Sequence, residues 1–217
     1  MEKPIQHFWN IRIDDAKEAL EANNFEVFTA MNLAGARNII MEEILPKSQP
    51  KSVSWGGSIT VAASGIYDAL LGHPEITMID TTATDVPAAE KIERRRHSLL
   101  VDLYFTGTNA VTEEGQLVNL DMIGNRIGGL TFGPKEVVVL AGRNKIVPDV
   151  EAAMLRIKNY VAPANAMRLD MKTPCVKTGR CEDCKSPSRI CNTWTITEKA
   201  FPKGRVKIIL INADLGL

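Results

Sequence analysis

The sequence predicts an α/β fold, a mostly parallel sheet with helices on both faces and one irregular cysteine-rich loop. Three observations carry this. Short apolar runs such as Leu99–Phe105 and Val137–Leu140 suit strands buried on both sides. Between such runs lie helical patterns with apolar residues spaced by three or four, the rhythm of βαβ units. Late in the chain that rhythm is broken by four cysteines together with Pro163, Pro174, Pro187 and Pro202.

In chain order, Ile5, Trp9, Ile13, Ala16 and Leu20 mark one face of a first helix. Asn23-Asn24 stops it, and Phe25–Phe28 is a short strand. Leu33, Ala36, Ile40 and Ile44 give a second helix, expected to end before Pro46 because proline lacks the N–H a helix interior needs. Ser52–Trp55 is a strand, and Gly56-Gly57-Ser58 turns it into a helix marked by Ile59, Ala62, Ile66 and Leu70, with Gly72 placed to end it. Ile76–Ile79 is another strand, and Pro87–His97 is charged and helix-prone. The run Leu99–Phe105 leads into Thr106–Asn109. Glu113-Glu114-Gly115-Gln116 has the residues of a hairpin turn before Leu117–Asp121. A helix from about Asp149 to Tyr160 and a strand from Arg205 to Asn212 complete the order.

Residues 1–217 form one α/β domain in this scheme, with 163–203 as a cysteine-rich insertion. Hydrophobic residues are 45% of the chain and charged residues 24%, which excludes a disordered or fibrous protein. Lys+Arg and Asp+Glu are 26 each, so nothing suggests a nucleic-acid footprint beyond Arg94–His97. No apolar run reaches the roughly 18 residues that span a bilayer, and the start has no secretory pattern. No membrane is expected, and the cytosol is the expected compartment.

Three stretches could carry chemistry. At Gly56-Gly57-Ser58 the glycines let a ligand approach the backbone, and Ser58 suits a helix cap; an anion site and an ordinary capped turn both fit. In the second, Thr106, Gly107 and Asn109 lie at the carboxyl end of a strand, where open α/β sheets bind ligands. Asn119, Asp121, Asn125 and Arg126 follow, and the guanidinium could grip a carboxylate or phosphate. The third is Cys175-x5-Cys181-x2-Cys184-x6-Cys191. In a reducing compartment, four thiolates this close in sequence suit one metal centre, and Lys177, Arg180, Lys185 and Arg189 would offset its negative charge. Zinc and a four-iron four-sulfur cluster take the same ligands, and the spacing does not choose between them.

The segments Phe105–Thr112, Gly115-x-Leu117-Val118-Asn119, Gly124-Asn125-Arg126, Phe132–Lys135 and Ala141-Gly142-x-Asn144-Lys145-Ile146-Val147 together resemble the lactate-utilisation (LUD) domain family. So do Val53–Ser58, Ala162-Pro163-x-Asn165-Ala166-x-Arg168-Leu169, the cysteine segment and Ile209–Asn212. The resemblance implies a Rossmann-like sheet similar to the ribose-phosphate isomerase, glucosamine-phosphate deaminase and CoA-transferase group. Some such proteins act in lactate oxidation beside iron–sulfur subunits. It also implies a pocket at Gly56, Gly57, Ser58, Thr106, Gly107, Asn109, Asp121, Asn125 and Arg126. A small anionic metabolite is the expected ligand, with a homo-oligomer or a redox partner protein left open. Two other functions stay open: a CoA-transferase or sugar-phosphate isomerase type of enzyme using Glu113 or Glu114 with Asp121, and a non-catalytic redox or metabolite sensor.

Overall fold

A computed structural model describes residues 2–217. The first helix, α1 (Glu2–Ala22), lies against the sheet through Ile13, Ala16 and Leu20 and leads into β1 (Glu26–Ala30). Helix α2 (Leu33–Ile39) widens into a π-helical stretch over Ile40–Ile44 and runs on as α3 (Leu45–Ser48). The expected stop before Pro46 is therefore not made. In the π stretch the Leu45 N–H bonds the Ile40 carbonyl, so the ladder has already shifted where the proline, which has no N–H, enters.

Strand β2 (Ser52–Trp55) is followed by α4 (Ile59–Ala63) and α5 (Ile66–Leu70). The single expected helix is split at Gly65, which sits in the left-handed region at φ +70°. Then come β3 (Thr77–Ile79), α6 (Ala88–His97), β4 (Leu103–Gly107), β5 (Ala110–Thr112), β6 (Leu117–Asp121), α7 (Asn125–Thr131), β7 (Glu136–Gly142) and β8 (Ile146–Val147). Helix α8 (Val150–Arg156) repeats the earlier device. A π stretch over Ile157–Val161 carries it past Pro163 into α9 (Ala162–Arg168). A short α10 (Cys175–Thr178), β9 (Thr193–Thr197) and β10 (Val206–Ile211) complete the chain.

Six strands form one wholly parallel sheet in the order β1-β10-β7-β4-β2-β3. Side-chain alternation fills both faces. Val137, Val139, Ala141, Tyr104, Ile208 and Leu210 face α1, while Val138, Leu140, Leu103, Phe105, Ile209 and Ile211 face α2 to α5. Two buried faces explain why these strands read as unbroken apolar runs. A second, four-stranded sheet in the order β8-β5-β6-β9 continues from β4, with β5 and β6 as the expected antiparallel hairpin. Its core joins Ala110, Val118, Leu120 and Val147 to Ala153, Ile157 and Val161 of the π-bent helix. Part of the 163–203 interval is thus regular, since β9 is the edge strand of this sheet. No helix among the described residues is long and apolar enough to cross a membrane.

Candidate functional site

From β2 the chain moves outward to β3, whereas from β4 it moves the other way to β7 and β10. The carboxyl ends of the adjacent β2 and β4 thus flank the point where strand order reverses, the usual ligand crevice of such sheets. Gly56 and Gly107 pack tightly there. A Cβ on Gly56 would sit 2.6 Å from Tyr104 Oη and 3.2 Å from Thr106 Oγ1, and one on Gly107 would sit 2.6 Å from Ser58 Oγ. Ser58 caps α4, its Oγ accepting the Val61 N–H at 3.2 Å. Gly57 is exposed, with open space around it.

Arg126 enters from the first turn of α7 and is 8% exposed. Its Nη1 donates to the Gly107 carbonyl at 3.3 Å and to Asn119 Oδ1, and its Nη2 donates to Asn109 Oδ1 at 2.9 Å and the Leu120 carbonyl at 3.1 Å. Nε lies 3.4 Å from Asp121 Oδ1. All three nitrogens are therefore engaged by the protein, and the guanidinium ties β4 of the large sheet to β6 of the small one. Asn109 and Asn119 complete the tie, since the Asn109 N–H donates to Asn119 Oδ1 and the Leu120 N–H to Asn109 Oδ1. Asn125 begins α7, and its carbonyl accepts from Tyr104 Oη at 3.5 Å.

Glu113 lies elsewhere. It stands past the far end of β5, where its carboxylate meets Arg12 of α1 at 2.6 Å, and Glu114 is exposed at the hairpin tip. Neither glutamate accompanies Asp121, which pairs with Arg126. The enzyme type that needs a glutamate nucleophile thus lacks that group at the strand ends.

The strand ends hold two cations that the motifs did not single out as site residues. Lys145, three residues after β7, is 4% exposed, and its Nζ donates to the Thr108 carbonyl at 3.0 Å. Arg156 of α8 donates to the carbonyls of Asn109 at 2.9 Å and Asn144 at 3.2 Å. Burial, then Arg156 and Arg126, push the Lys145 amine down to about 7. Four residues here also keep buried side-chain atoms without a partner among the described residues: Thr60 Oγ1, Asn119 Nδ2, Asp121 Oδ2 and Thr195 Oγ1, the last on the strand position opposite Asn119. Buried polar atoms are nearly always hydrogen-bonded, so four orphans in one region stand out.

All four cysteines line one small cavity of about 20 Å³ with Ala162, Pro163, Thr173, Arg189 and Ile190. Cys175 starts α10, Cys181 and Cys184 lie in the irregular loop, and Cys191 directly precedes the approach to β9. No disulfide links them. Among the described residues no group of three or more His, Cys, Asp or Glu is drawn close enough to hold a metal ion. The Asp183 N–H donates to Cys181 Sγ at 3.4 Å, and Thr173 Oγ1 lies 3.2 Å from Cys175 Sγ. Arg189 braces the loop, donating to the carbonyls of Cys184 at 2.6 Å and Cys191 at 2.9 Å and pairing with Asp183. The adjacent Asn192 N–H donates to the Asp121 carbonyl at 3.0 Å, so loop and strand-end cluster share β6.

Residues 13–211 match the family model of the LUD domain. The chain belongs to the LUD-domain family. Among solved structures it is similar to a DUF162 family protein from Deinococcus radiodurans, at 13% identity over 94% of this chain and 98% of that one, with a TM-score of 0.46. No curated protein matches it. Both the strand-end cluster and the cysteine loop fall within the stretch matched to the LUD domain. In this LUD domain Lys145 had one legible signal, a charge set directly against the apolar pair Ile146-Val147; Arg156 had none, being one more polar residue on an amphipathic helix.

Proposed function

We propose that this LUD protein carries one four-thiolate centre on Cys175, Cys181, Cys184 and Cys191 and binds a small anionic metabolite at the strand ends, as a component of lactate or related organic-acid oxidation. The observation that carries the reading is the single cavity onto which all four sulfurs open. The donor set fits. It is wholly soft, it has a backbone N–H aimed at one sulfur, and the cationic Arg189 stands beside it. Four cysteines around one cavity, with a backbone N–H and Arg189 beside them, also suit the sulfur-rich surroundings of a four-iron four-sulfur cluster; that is the centre tested first, with zinc as the alternative. When bound, such a cluster supplies one-electron transfer. With all four positions taken by thiolates, nothing remains open to activate water. The lactate assignment rests on family membership.

The test is purification without oxygen, followed by iron, sulfide and zinc analysis and a visible spectrum before and after reduction. Iron and sulfide in equal amounts, with broad absorption that bleaches on reduction, is the expected result. Protein free of both metals, or a Cys181→Ser/Cys184→Ser double variant that keeps its metal, would overturn the reading.

A further inference from the structure

The guanidinium of Arg126 is consumed by the protein, so the strand ends need another group to receive an anion. We propose that Lys145 and the Thr60 hydroxyl form that receptor, and that residues 213–217 are a strap lying over it which a small carboxylate displaces. The inference deepens the metabolite-binding reading above and rests on it.

The geometry comes from Gly216. A Cβ built on this residue would lie 2.8 Å from Thr60 Oγ1 and 3.5 Å from Lys145 Nζ, so amine and hydroxyl flank one point directly beside the strap's backbone. Gly216 holds φ +65°, a conformation costly for any residue with a side chain. Thr60 is 1% exposed, and its hydroxyl has no partner among the described residues. Lys145 uses one of its N–H donors on the Thr108 carbonyl, which leaves others for a ligand.

Charge points the same way. Lys145 feels Arg156 from α8 and Arg126 from α7, and the carboxylate in the cluster, Asp121, is paired with Arg126. Buried positive charge in such excess is unfavourable without a counter-ion, and an anion between Lys145 and Thr60 would supply it. An ammonium beside a hydroxyl matches the two oxygens of a planar carboxylate. The strap is held by a few polar links and by Ala213, Leu215 and Leu217 packed on the neighbouring cores. The Arg143 N–H donates to the Ala213 carbonyl at 3.1 Å, Arg143 pairs with the exposed Asp214 at 2.9 Å, and the Leu215 N–H donates to Asn144 Oδ1 at 3.0 Å. Displacement then costs chiefly the partial burial of those three side chains, which the ligand's own bonds to Lys145 and Thr60 must offset.

Isothermal titration of the full chain with L-lactate, pyruvate and inorganic phosphate tests this on wild type, Lys145→Met, Thr60→Val and Gly216→Ala. The expected result is carboxylate binding that weakens on the order of 10- to 100-fold in Lys145→Met, the loss of a charge-assisted hydrogen bond. Thr60→Val weakens it less, and Gly216→Ala, whose strap no longer fits, strengthens it. If Lys145→Met fails to fold, Thr60→Val decides, since it keeps the shape and removes only the hydroxyl. Wild-type affinity in Lys145→Met and Thr60→Val overturns this placement but leaves the metabolite-binding reading intact. No binding of any probe to wild type or Gly216→Ala overturns both. Binding of phosphate alone overturns the carboxylate class, and unchanged affinity in Gly216→Ala overturns the strap.

Discussion

Arg126 and Lys145 are both buried cations at the ends of parallel strands, yet their surroundings give them different parts. Arg126 has its nitrogens spread over Gly107, Asn109, Asn119, Leu120 and Asp121. Its replacement by Met leaves those oxygens and the Asp121 carboxylate unpaired, and should cost about 3–5 kcal/mol of stability in urea unfolding. Lys145 holds its proton weakly, at about 7 against the ordinary 10.5, because burial and two arginines oppose its charge. Below about pH 7 both folded and unfolded chains carry the charge, and the folded state bears the full burial penalty. Between 7 and 10.5 only the unfolded chain carries the extra proton, so stability rises with pH over that window. Urea midpoints at pH 6.5 and pH 9 check this, with Lys145→Met expected to flatten the rise.

At the scale of elements, two glycines in comparable turns separate constraint from tolerance. Gly115, at φ +79° in the β5–β6 hairpin, lies so close to α1 that a Cβ would meet the Ala19 backbone at 2.4 Å. Gly115→Ala should therefore pry the hairpin from the helix and lower stability by about 1–3 kcal/mol, whereas Gly57→Ala, facing open space, should leave the thermal midpoint nearly unchanged. The two π stretches teach a related lesson. The apolar spacing through Ile40 and Ile44 was legible, but the helix end inferred from Pro46 was not met, and the helix expected to stop near Tyr160 runs on past Pro163. A proline rule assumes an unshifted ladder, and whether the ladder shifts is set by what the helix packs on.

Across the whole molecule, the cysteine loop attaches to the small sheet and its helices, through Lys158–Asp183 at 3.1 Å, Asn192 to Asp121 and Met122, and Cys191 packed on that sheet's core. The doubly covered sheet owes nothing to it. Removing the proposed centre by Cys181→Ser/Cys184→Ser should speed hydrogen exchange over residues 172–192 while β4, β7 and β10 keep their protection; loss of protection in those strands would contradict the separation. The parallel strands, the hairpin and the cysteine cluster were all legible, because each is written in residues near one another in sequence. Lys145, Thr60 and the 213–217 strap were not, because their juxtaposition depends on three distant segments meeting at the strand ends.

By itself, the order of apolar runs, glycines and thiols determined the α/β class, the strand-end position of Thr106–Asn109 and the set of four cysteines. Tertiary structure alone decided that Arg126 has all its nitrogens engaged while Lys145 makes one hydrogen bond, that Glu113 answers to Arg12, and that the four cysteines line one cavity. The division has a physical cause: burial periodicity is a local property of the chain, whereas the partner of a charge is fixed by whatever the fold brings within about 3–4 Å of it.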